Sequence, residues 1–476
     1  MDVIKGLPRT QRLILILIAA GDIVVLLLAC IIISTGLPKQ SDIALVQPIT
    51  LQPTSTPTRT PIPTWTPTVT PTPYVPATPT LRPLKEEEAA LLEQAEQETA
   101  ALRDLPILQP VPRWKITRTQ LRQRYTDVFV SDEWEETARS LVYMFAALDF
   151  MPPDTDLVDL WEDSFSDWVA GFYLADMDEI YIVSDAYTIG AMERSIFAHE
   201  FVHALQDQHF DLASLGLDVT DDLGYGDRQL AVQALIEGDA ELLQEQYIET
   251  FFSEQDMLDY VNEALKFTFT WTDSTPRVLS EVSLFPYEQG KEFASALYQQ
   301  GGWQAVSDAY ANPPVSTEQI LHPRRYLSDD QPVPVSLPSL ADTLGGEWRL
   351  IYDGPAGELL LRLYLENHLD PTEAARAAEG WGGDHCLVYH DDATGGTVAL
   401  LQTIWDTSND RREFLNAYLS YGEARFDHEA DQTSDGLACW QEVDALCVAW
   451  GEENVTVALG PGQETVDQVL AVFSSP

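Results

Sequence analysis

Two histidines four residues apart, with a glutamate directly after the first, form the most informative pattern in this sequence: His199, Glu200 and His203. On an α-helix, residues i and i+4 lie on one face, so both imidazoles can reach the same metal ion. Glu200 would then lie beside the open position of that ion and could accept a proton from a bound water. The pattern therefore predicts a catalytic Zn²⁺ site with His199 and His203 as ligands and Glu200 as the general base.

A catalytic zinc site of this kind needs a third protein ligand, and Glu237 is our leading candidate. It lies in an apolar segment that also carries Asp239 and Glu241. We expect this segment to be a helix that returns beside the histidine helix, with Gly238 permitting the two helices to approach closely. Glu241, one turn further on, could hydrogen-bond a ligand histidine and fix its tautomer, although it also stays open as a ligand itself.

His209 is the other alternative for the third ligand. It follows His199 by ten residues, which is the spacing that metzincins use for their third histidine. Metzincins have a glycine midway, where the helix breaks, whereas this sequence has Gln206. A continuing helix would turn His209 about 240° away from His203, so we rank it below Glu237. For an oxyanion stabiliser the candidates are His322, Tyr287 and Tyr326, and we assign none of them.

The elements that would position these residues can be read from hydrophobic periodicity and turn signals. We expect a surface helix at 84–105, further helices at 134–148, 192–208 and 229–250, and hairpin strands at 169–173 and 179–183. Proline-rich turns place a domain boundary near residue 335. Beyond it, β-like runs at 348–352, 397–404 and 454–459 alternate with helical runs at 371–378 and 411–421, which predicts a smaller α+β domain.

The cysteines after the N-terminal region number three, so that one of them must stay unpaired. Cys439 and Cys447 flank a predicted turn, and a disulfide across that hairpin is possible in an oxidising compartment.

The first 83 residues differ in character from the rest. Residues 13–34 are apolar enough to cross a bilayer, and the basic residues before them predict a cytoplasmic tail at 1–12. Residues 35–83 are rich in Pro and Thr and predict a disordered stalk. We therefore expect a single-pass protein of the cell membrane whose remaining chain is extracytoplasmic; a lipoprotein attached through Cys30 is the less favoured alternative.

Charge and composition exclude two further classes of protein. The 476 residues include 27 Lys and Arg against 76 Asp and Glu, a net charge of −49, which phosphate backbones would repel. We therefore expect no nucleic-acid partner. The 12 Trp, 18 Tyr and 17 Phe are too many for a chain that is disordered throughout.

The residues 199–203, together with Glu237, Gly238 and Ala240, resemble the gluzincin-like side of the zincin metallopeptidases. Segments 203–210 and 316–323 are similar to a poorly characterised group of prokaryotic membrane-anchored zincin-like proteins, and the resemblance covers about residues 115–330, with a further match at 380–384. It implies a zinc endopeptidase acting on a peptide or protein, with His199, His203 and Glu237 as Zn²⁺ ligands and Glu200 as base. It also implies that the hairpin at 171–182 supplies the edge strand of the substrate cleft.

The predicted fold class is therefore α+β. A mainly helical zincin-like metallopeptidase domain with a small edge sheet, at 84–335, would be followed by a smaller α+β domain at 336–476, both carried by the transmembrane helix and the stalk. The alternative is a catalytically inactive zincin-fold surface protein that acts as a binding or scaffold module. The sequence carries no signal for the oligomeric state.

Overall fold

The computed structural model describes residues 84–122, 132–160, 169–175, 177–217, 226–265, 276–434 and 436–474. The predicted tail at 1–12, anchor at 13–34 and stalk at 35–83, with Cys30, lie outside these residues. Within the described ranges, every helix is too short or too polar to cross a membrane.

The first half of the described chain is mainly helical. Its six longer helices are α1 (Glu86–Arg103), α2 (Asp132–Ala147), α3 (Ala191–Phe210), α4 (Asp227–Phe251), α5 (Glu254–Ala264) and α6 (Arg277–Ala311), the last bent at Gly301 and Gly302. Three short helices follow: α7 (Thr317–Leu321), α8 (Pro323–Leu327) and α9 (Ala341–Leu344). The predicted helices at 84–105, 134–148, 192–208 and 229–250 are thus confirmed to within a few residues.

A three-stranded sheet accompanies these helices. Its strands are β1 (Arg113–Ile116), β2 (Gly171–Leu174) and β3 (Glu179–Val183), in the order β1-β3-β2. The predicted hairpin is confirmed as the antiparallel pair of β2 and β3, and β1 adds to it in parallel with β3. Strand β2 therefore forms one edge of this sheet.

Helices α3 and α4 are buried on nearly every side, as central helices of a core are. Helix α3 begins at a capping arrangement in which the Gly190 N–H donates to Glu193 Oε2 over 2.8 Å. It ends at Asp211, whose φ of 54° is left-handed and stops the helix. Packing against neighbouring elements therefore fixes the position of both helices along most of their length.

The expected role of Gly238 is wrong in one respect. A Cβ at Gly238 would lie 2.0 Å from the carbonyl oxygen of Gly290, and a Cβ at Gly290 would lie 2.2 Å from the carbonyl oxygen of Ala234. Gly238 therefore brings α4 against α6 and not against the histidine helix α3. The physical reason is that a glycine pair permits two backbones to touch at one crossing, and α6 supplies the partner glycine.

The expected surface helix at 84–105 is confirmed as α1, and one face of this helix is buried. Leu92, Ala95 and Arg103 have no exposed surface, and the helix packs against both α3 and α4. The many Glu residues of α1 lie mostly on its outer face, and their abundance concealed a narrow buried stripe.

The second half of the described chain is built on a seven-stranded antiparallel sheet. Its strands are β4 (Trp348–Gly354), β5 (Trp381–Asp391), β6 (Gly396–Trp405), β7 (Gln432–Ser434), β8 (Leu437–Gln441), β9 (Ala445–Trp450) and β10 (Asn454–Gly460), in the order β4-β5-β6-β10-β9-β8-β7. Its helices are α10 (Gly357–Leu365), α11 (Pro371–Ala378), α12 (Ser408–Phe426) and α13 (Gln463–Ser474). Helices and an antiparallel sheet in successive segments confirm the α+β class.

The cysteines of this second half behave as the sequence suggested. A disulfide joins Cys439 on β8 to Cys447 on β9, which are directly opposite each other in the hairpin. Cys386 on β5 is buried and is not part of a disulfide.

The segment 380–384, which the zincin-like resemblance included, has a structural role. Asp384 accepts hydrogen bonds from the N–H groups of Ala356 and Gly357 over 2.7 and 2.8 Å, and from Trp381 Nε1 over 2.7 Å. Asp384 therefore accepts hydrogen bonds from backbone N–H groups at the start of α10, where a negative charge is favourable.

Candidate metal centre

Helices α3 and α4 bring three predicted ligands together. His199 Nε2 lies 3.1 Å from His203 Nε2 and 3.3 Å from Glu237 Oε2, and His203 Nε2 lies 3.4 Å from the same oxygen. The ligand atoms of these three side chains all lie within 4.8 Å of one another, close enough to hold one metal ion. They come from one turn of α3 and the facing turn of α4, so packing of the two helices sets the geometry of the site.

The other nitrogen of each imidazole faces an oxygen that accepts hydrogen bonds. His199 Nδ1 lies 3.1 Å from Gln244 Oε1 and 3.6 Å from Glu241 Oε1, while His203 Nδ1 lies 2.9 Å from Gln206 Oε1. These partners favour a proton on each Nδ1, which leaves both Nε2 lone pairs facing the Glu237 carboxylate. Lone pairs and an anionic oxygen at such short distances repel one another unless a positive charge, from a proton or a metal ion, lies among them.

The spacing of these atoms fits zinc. Two ligand atoms that each bind a tetrahedral Zn²⁺ at about 2.0–2.1 Å lie roughly 3.3 Å from each other. The three ligand atoms of this site are 3.1–3.4 Å apart, which agrees with that separation. Two imidazoles and one carboxylate are also a ligand set of catalytic zinc sites, which leave a fourth position for water or substrate. The residues present therefore fit the ion that the sequence predicts.

Burial and mutual contact shape the protonation of these ligands. Burial lowers the pKa of His199, so that its imidazole is neutral at neutral pH and available to a metal. Burial by itself raises the pKa of Glu237, but His203 and His199 outweigh this effect and hold that pKa well below its usual range. The site thus presents a neutral imidazole at His199 and an ionised carboxylate at Glu237.

Glu200 lies next to the ligands and is held by strand β2. The backbone N–H of Tyr173 donates to its carboxylate, and only 2 % of the residue is exposed. Burial raises the pKa of Glu200 to about 8, against the opposing effect of His203. A metal ion held by the neighbouring ligands would lower that pKa and favour the ionised form that a base needs. At Gly171 a Cβ would lie 3.0 Å from both Cγ and Oε1 of Glu200, so this strand reaches Glu200 because it has a glycine there.

The two alternative third ligands occupy other positions. Glu241 approaches Nδ1 of His199, the nitrogen that faces away from Glu237, as expected for a residue that orients a ligand. Helix α3 continues without a break to Phe210, and His209 Nε2 donates to the carbonyl oxygen of Pro106 over 2.8 Å. Of the three candidates, the structure brings only Glu237 to both Nε2 atoms.

Behind His203 lies a set of buried polar residues that sequence reasoning missed. Gln206 Nε2 donates to Asp239 Oδ2 over 3.0 Å, and Arg103 pairs with both oxygens of Asp239 over 2.6 and 2.9 Å. The Tyr310 hydroxyl donates to Asp239 Oδ2 over 2.8 Å. A signal for Asp239 existed in its position two residues after Glu237, but Arg103 and Tyr310 come from distant segments and carry no pattern.

The oxyanion candidates are separated by the fold. His322 Nε2 lies 2.9 Å from Glu358 Oε1 on α10, and the Tyr326 hydroxyl donates to the carbonyl oxygen of Asn312. Tyr287 is the one of the three beside the ligands, with its ring stacked 6.4 Å from the His199 ring.

Comparison with known proteins reaches only the second half of the chain. The model of a family described as Domain of unknown function (DUF8575) matches residues 350–470, which contain most of the seven-stranded sheet and none of the residues of the metal centre. No curated protein matches the chain, and no solved structure matches it.

Proposed function

We propose that this protein is a zinc metallopeptidase that hydrolyses peptide bonds, with His199, His203 and Glu237 as metal ligands and Glu200 as general base. The observation that carries the proposal is the convergence of two imidazole nitrogens and one carboxylate oxygen within 3.1–3.4 Å, with Glu200 on the same helix. The zincin-like fold belongs to the same proposal.

The chemistry divides between the ion and the chain. A zinc ion held by these residues would supply Lewis acidity and lower the pKa of a coordinated water. Glu200 takes a proton from the attacking water as the water oxygen bonds to the peptide carbonyl carbon. It then delivers that proton to the leaving nitrogen as the carbon–nitrogen bond breaks. The β2 backbone at Tyr173 keeps the carboxylate of Glu200 in place for both transfers.

The proposed location is the outer face of a membrane. The apolar segment 13–34, with basic residues before it, supports a single-pass anchor with a cytoplasmic N-terminus. The disulfide between Cys439 and Cys447 supports an oxidising compartment for the second half of the chain. Attachment through a lipid on Cys30 is the less favoured version of the same location.

The substitution Glu200→Gln tests the proposal, because glutamine keeps the shape of the side chain and cannot accept the proton. We expect peptide cleavage by the full chain to fall by about 10²–10⁴-fold, the usual contribution of a general base, with one zinc still bound per chain. Cleavage is measured by mass spectrometry on a mixture of unstructured peptides, and zinc by elemental analysis. The control is Glu245→Gln on α4, whose side chain is 51 % exposed. Equal cleavage by wild type and Glu200→Gln would refute the assigned base.

One observation favours the alternative of a catalytically inactive binding or scaffold module. His199, Glu200, His203 and Glu237 are only 1–3 % exposed, so a peptide reaches them only if the surrounding chain moves. For such a module, wild type would bind zinc and cleave no more of the peptide mixture than Glu200→Gln does.

A further inference from the structure

The orientation of the Gln206 side chain is determined by its neighbours. Its Nε2 lies 3.0 Å from the carbonyl oxygen of Ile236 and 3.0 Å from Asp239 Oδ2. A backbone carbonyl accepts hydrogen bonds and donates none, so the NH₂ group of Gln206 must face Ile236. The amide oxygen of Gln206 therefore faces His203 Nδ1, 2.9 Å away, and this nitrogen must carry the proton.

Asp239 is in turn held from the other side. Arg103, at the last residue of α1, donates from Nε and Nη2 to its two oxygens, and the Tyr310 hydroxyl donates to Oδ2. Arg103 and Asp239 have fully buried side chains, and the guanidinium lies over the Trp303 ring. Each partner of the carboxylate is a donor, which keeps Asp239 an acceptor toward Gln206.

We propose that Gln206, Asp239, Arg103 and Tyr310, here termed the His203 network, form a positioning network that holds His203 in the tautomer with an unprotonated Nε2. Gln206 transmits this constraint because its two ends bind His203 and Asp239. The network prepares the ligand nitrogen before any metal arrives, and in this respect it rests on the proposed metal centre. None of the four residues is a catalytic residue.

The nature of the Arg103–Asp239 pair supports this role. A buried ion pair is a poor source of stability, since apolar side chains of similar size would serve as well or better. The pair is well suited to fixing the direction of a hydrogen bond. Because Arg103 and Tyr310 donate to Asp239, this carboxylate can only accept a hydrogen bond from Gln206. An imidazole without such a neighbour can exchange its proton between the two ring nitrogens, and the fraction with a usable Nε2 then falls.

The first measurement is the tautomer of His203 in the zinc-free full chain, read from the nitrogen chemical shifts of ¹⁵N-labelled histidine. The His203 signals are identified by their loss in His203→Gln. We expect wild type to keep a proton on Nδ1 of His203, and Gln206→Leu to lose that proton in part of the molecules. Tyr298→Phe, a loss of a tyrosine hydroxyl on the same helix as Tyr310 but outside the network, should leave the signals unchanged.

The second measurement is zinc affinity by competition with a chelator. We expect Gln206→Leu to weaken binding by about 10–100-fold, as the loss of a group that orients a metal-bound histidine does. Tyr310→Phe, which removes one hydroxyl and is mild enough to fold, should weaken it by about 3–10-fold. In the double variant the tyrosine effect should nearly vanish, because its only proposed route to His203 passes through Gln206.

Several outcomes would overturn the proposal. They are a tautomer mixture in wild type, an unchanged tautomer in Gln206→Leu, or effects of the two substitutions on zinc affinity that simply add. The tautomer measurement needs neither metal nor turnover. A wild-type chain that binds no zinc or cleaves no peptide would refute the proposed function and leave the tautomer result standing.

Discussion

At the scale of single residues, the proposed third ligand distinguishes two arrangements of a metal centre that is built on two histidines of one helix. In one arrangement a carboxylate on a second helix completes the site, and in the other a histidine ten residues after the first does so. The helix α3 remains continuous past Gln206 and carries His209 to the carbonyl oxygen of Pro106. The carboxylate of Glu237 is the group that meets both Nε2 atoms.

We therefore expect one zinc per full chain in wild type, less than a tenth of that in Glu237→Ala, and one again in His209→Ala. Removal of Glu237 leaves two neutral imidazoles without the anion that balances the ion, whereas removal of His209 costs one hydrogen bond near the surface. Elemental analysis after dialysis against a weak chelator measures both, and circular dichroism checks the fold. Zinc lost from His209→Ala and kept by Glu237→Ala would identify the other arrangement.

Much of this site could be predicted from the sequence. His199, Glu200 and His203 lie on one helix, so their spacing in the sequence determines which face of the helix each side chain occupies. The prediction of Glu237 as a ligand required only that the next buried helix, α4, pack beside α3. The network behind His203 could not be predicted, since Arg103 and Asp239 are 136 residues apart and Tyr310 is 71 residues beyond Asp239. Such contacts depend on tertiary packing, and a single sequence contains no periodic signal for them.

At the scale of elements, the close crossing of α4 and α6 determines where Glu237 lies relative to the histidines of α3. The two backbones touch at Gly238 and Gly290, so that any side chain there must push the helices apart. Glu237 is the neighbour of Gly238 and shares any displacement of α4.

The substitution Gly238→Ala should therefore affect both stability and the metal centre. Its Cβ would lie 2.0 Å from the Gly290 carbonyl oxygen, and we expect a loss of about 1–3 kcal/mol or more in the free energy of unfolding. We also expect weaker zinc binding, because α4 moves relative to α3. Urea unfolding and chelator competition measure the two effects. Gly346→Ala is the control, since a Cβ there has nothing within 4 Å. If Gly238→Ala matches this control in both measurements, the contact does not set the site.

Elements with strong local signals were predictable, and those that depend on distant partners were not. The hairpin of β2 and β3 has two short apolar runs on either side of a turn. Helix α11 begins at Pro371 behind Asp370, whose side chain accepts from the Thr372 N–H. Strand β1 has four residues and pairs in parallel with β3, more than sixty residues later. Helix α6 contains Pro286 and a bend at Gly301, which break the periodicity that would reveal it.

At the scale of the whole molecule, the helical half and the sheet half meet through buried carboxyl groups. Asp227, at the start of α4, accepts hydrogen bonds from the N–H and the hydroxyl of Thr317 over 2.8 and 2.5 Å, and it lies against Gly357 of α10. Burial raises the pKa of Asp227 to about 8, against the Thr317 hydrogen bonds, and the nearby Asp384 and Glu358 raise it further. This contact therefore responds to pH.

The direction of that response follows from the raised pKa. The folded chain binds a proton at Asp227 more tightly than the unfolded chain, so the stabilising contribution is complete below about pH 4 and is lost as pH rises toward 8. We expect the free energies of unfolding of wild type and Asp227→Asn to be most alike near pH 4 and to diverge as pH rises toward 8. By pH 8.5 the variant should be more stable by at least about 1.4 kcal/mol, the equivalent of one pKa unit.

Urea titrations at several pH values measure this difference, and Asp342→Asn, an exposed change on α9, is the control. A difference between wild type and Asp227→Asn that stays constant from pH 5 to 8.5 would contradict the expected titration. Other acidic groups change with pH as well, and comparison of the two chains at each pH removes their contribution.

The position of Arg103 has a consequence for limited proteolysis of this chain. A cut within residues 104–112 would leave α1 attached by noncovalent contacts alone. Departure of α1 would strand Asp239 as a buried charge without its cation, at a cost of about 3–5 kcal/mol. A fragment that keeps the proposed metal centre intact must therefore begin before Glu86, and a fragment that begins after Arg103 should lose the contacts that hold Asp239 and Gln206 behind His203.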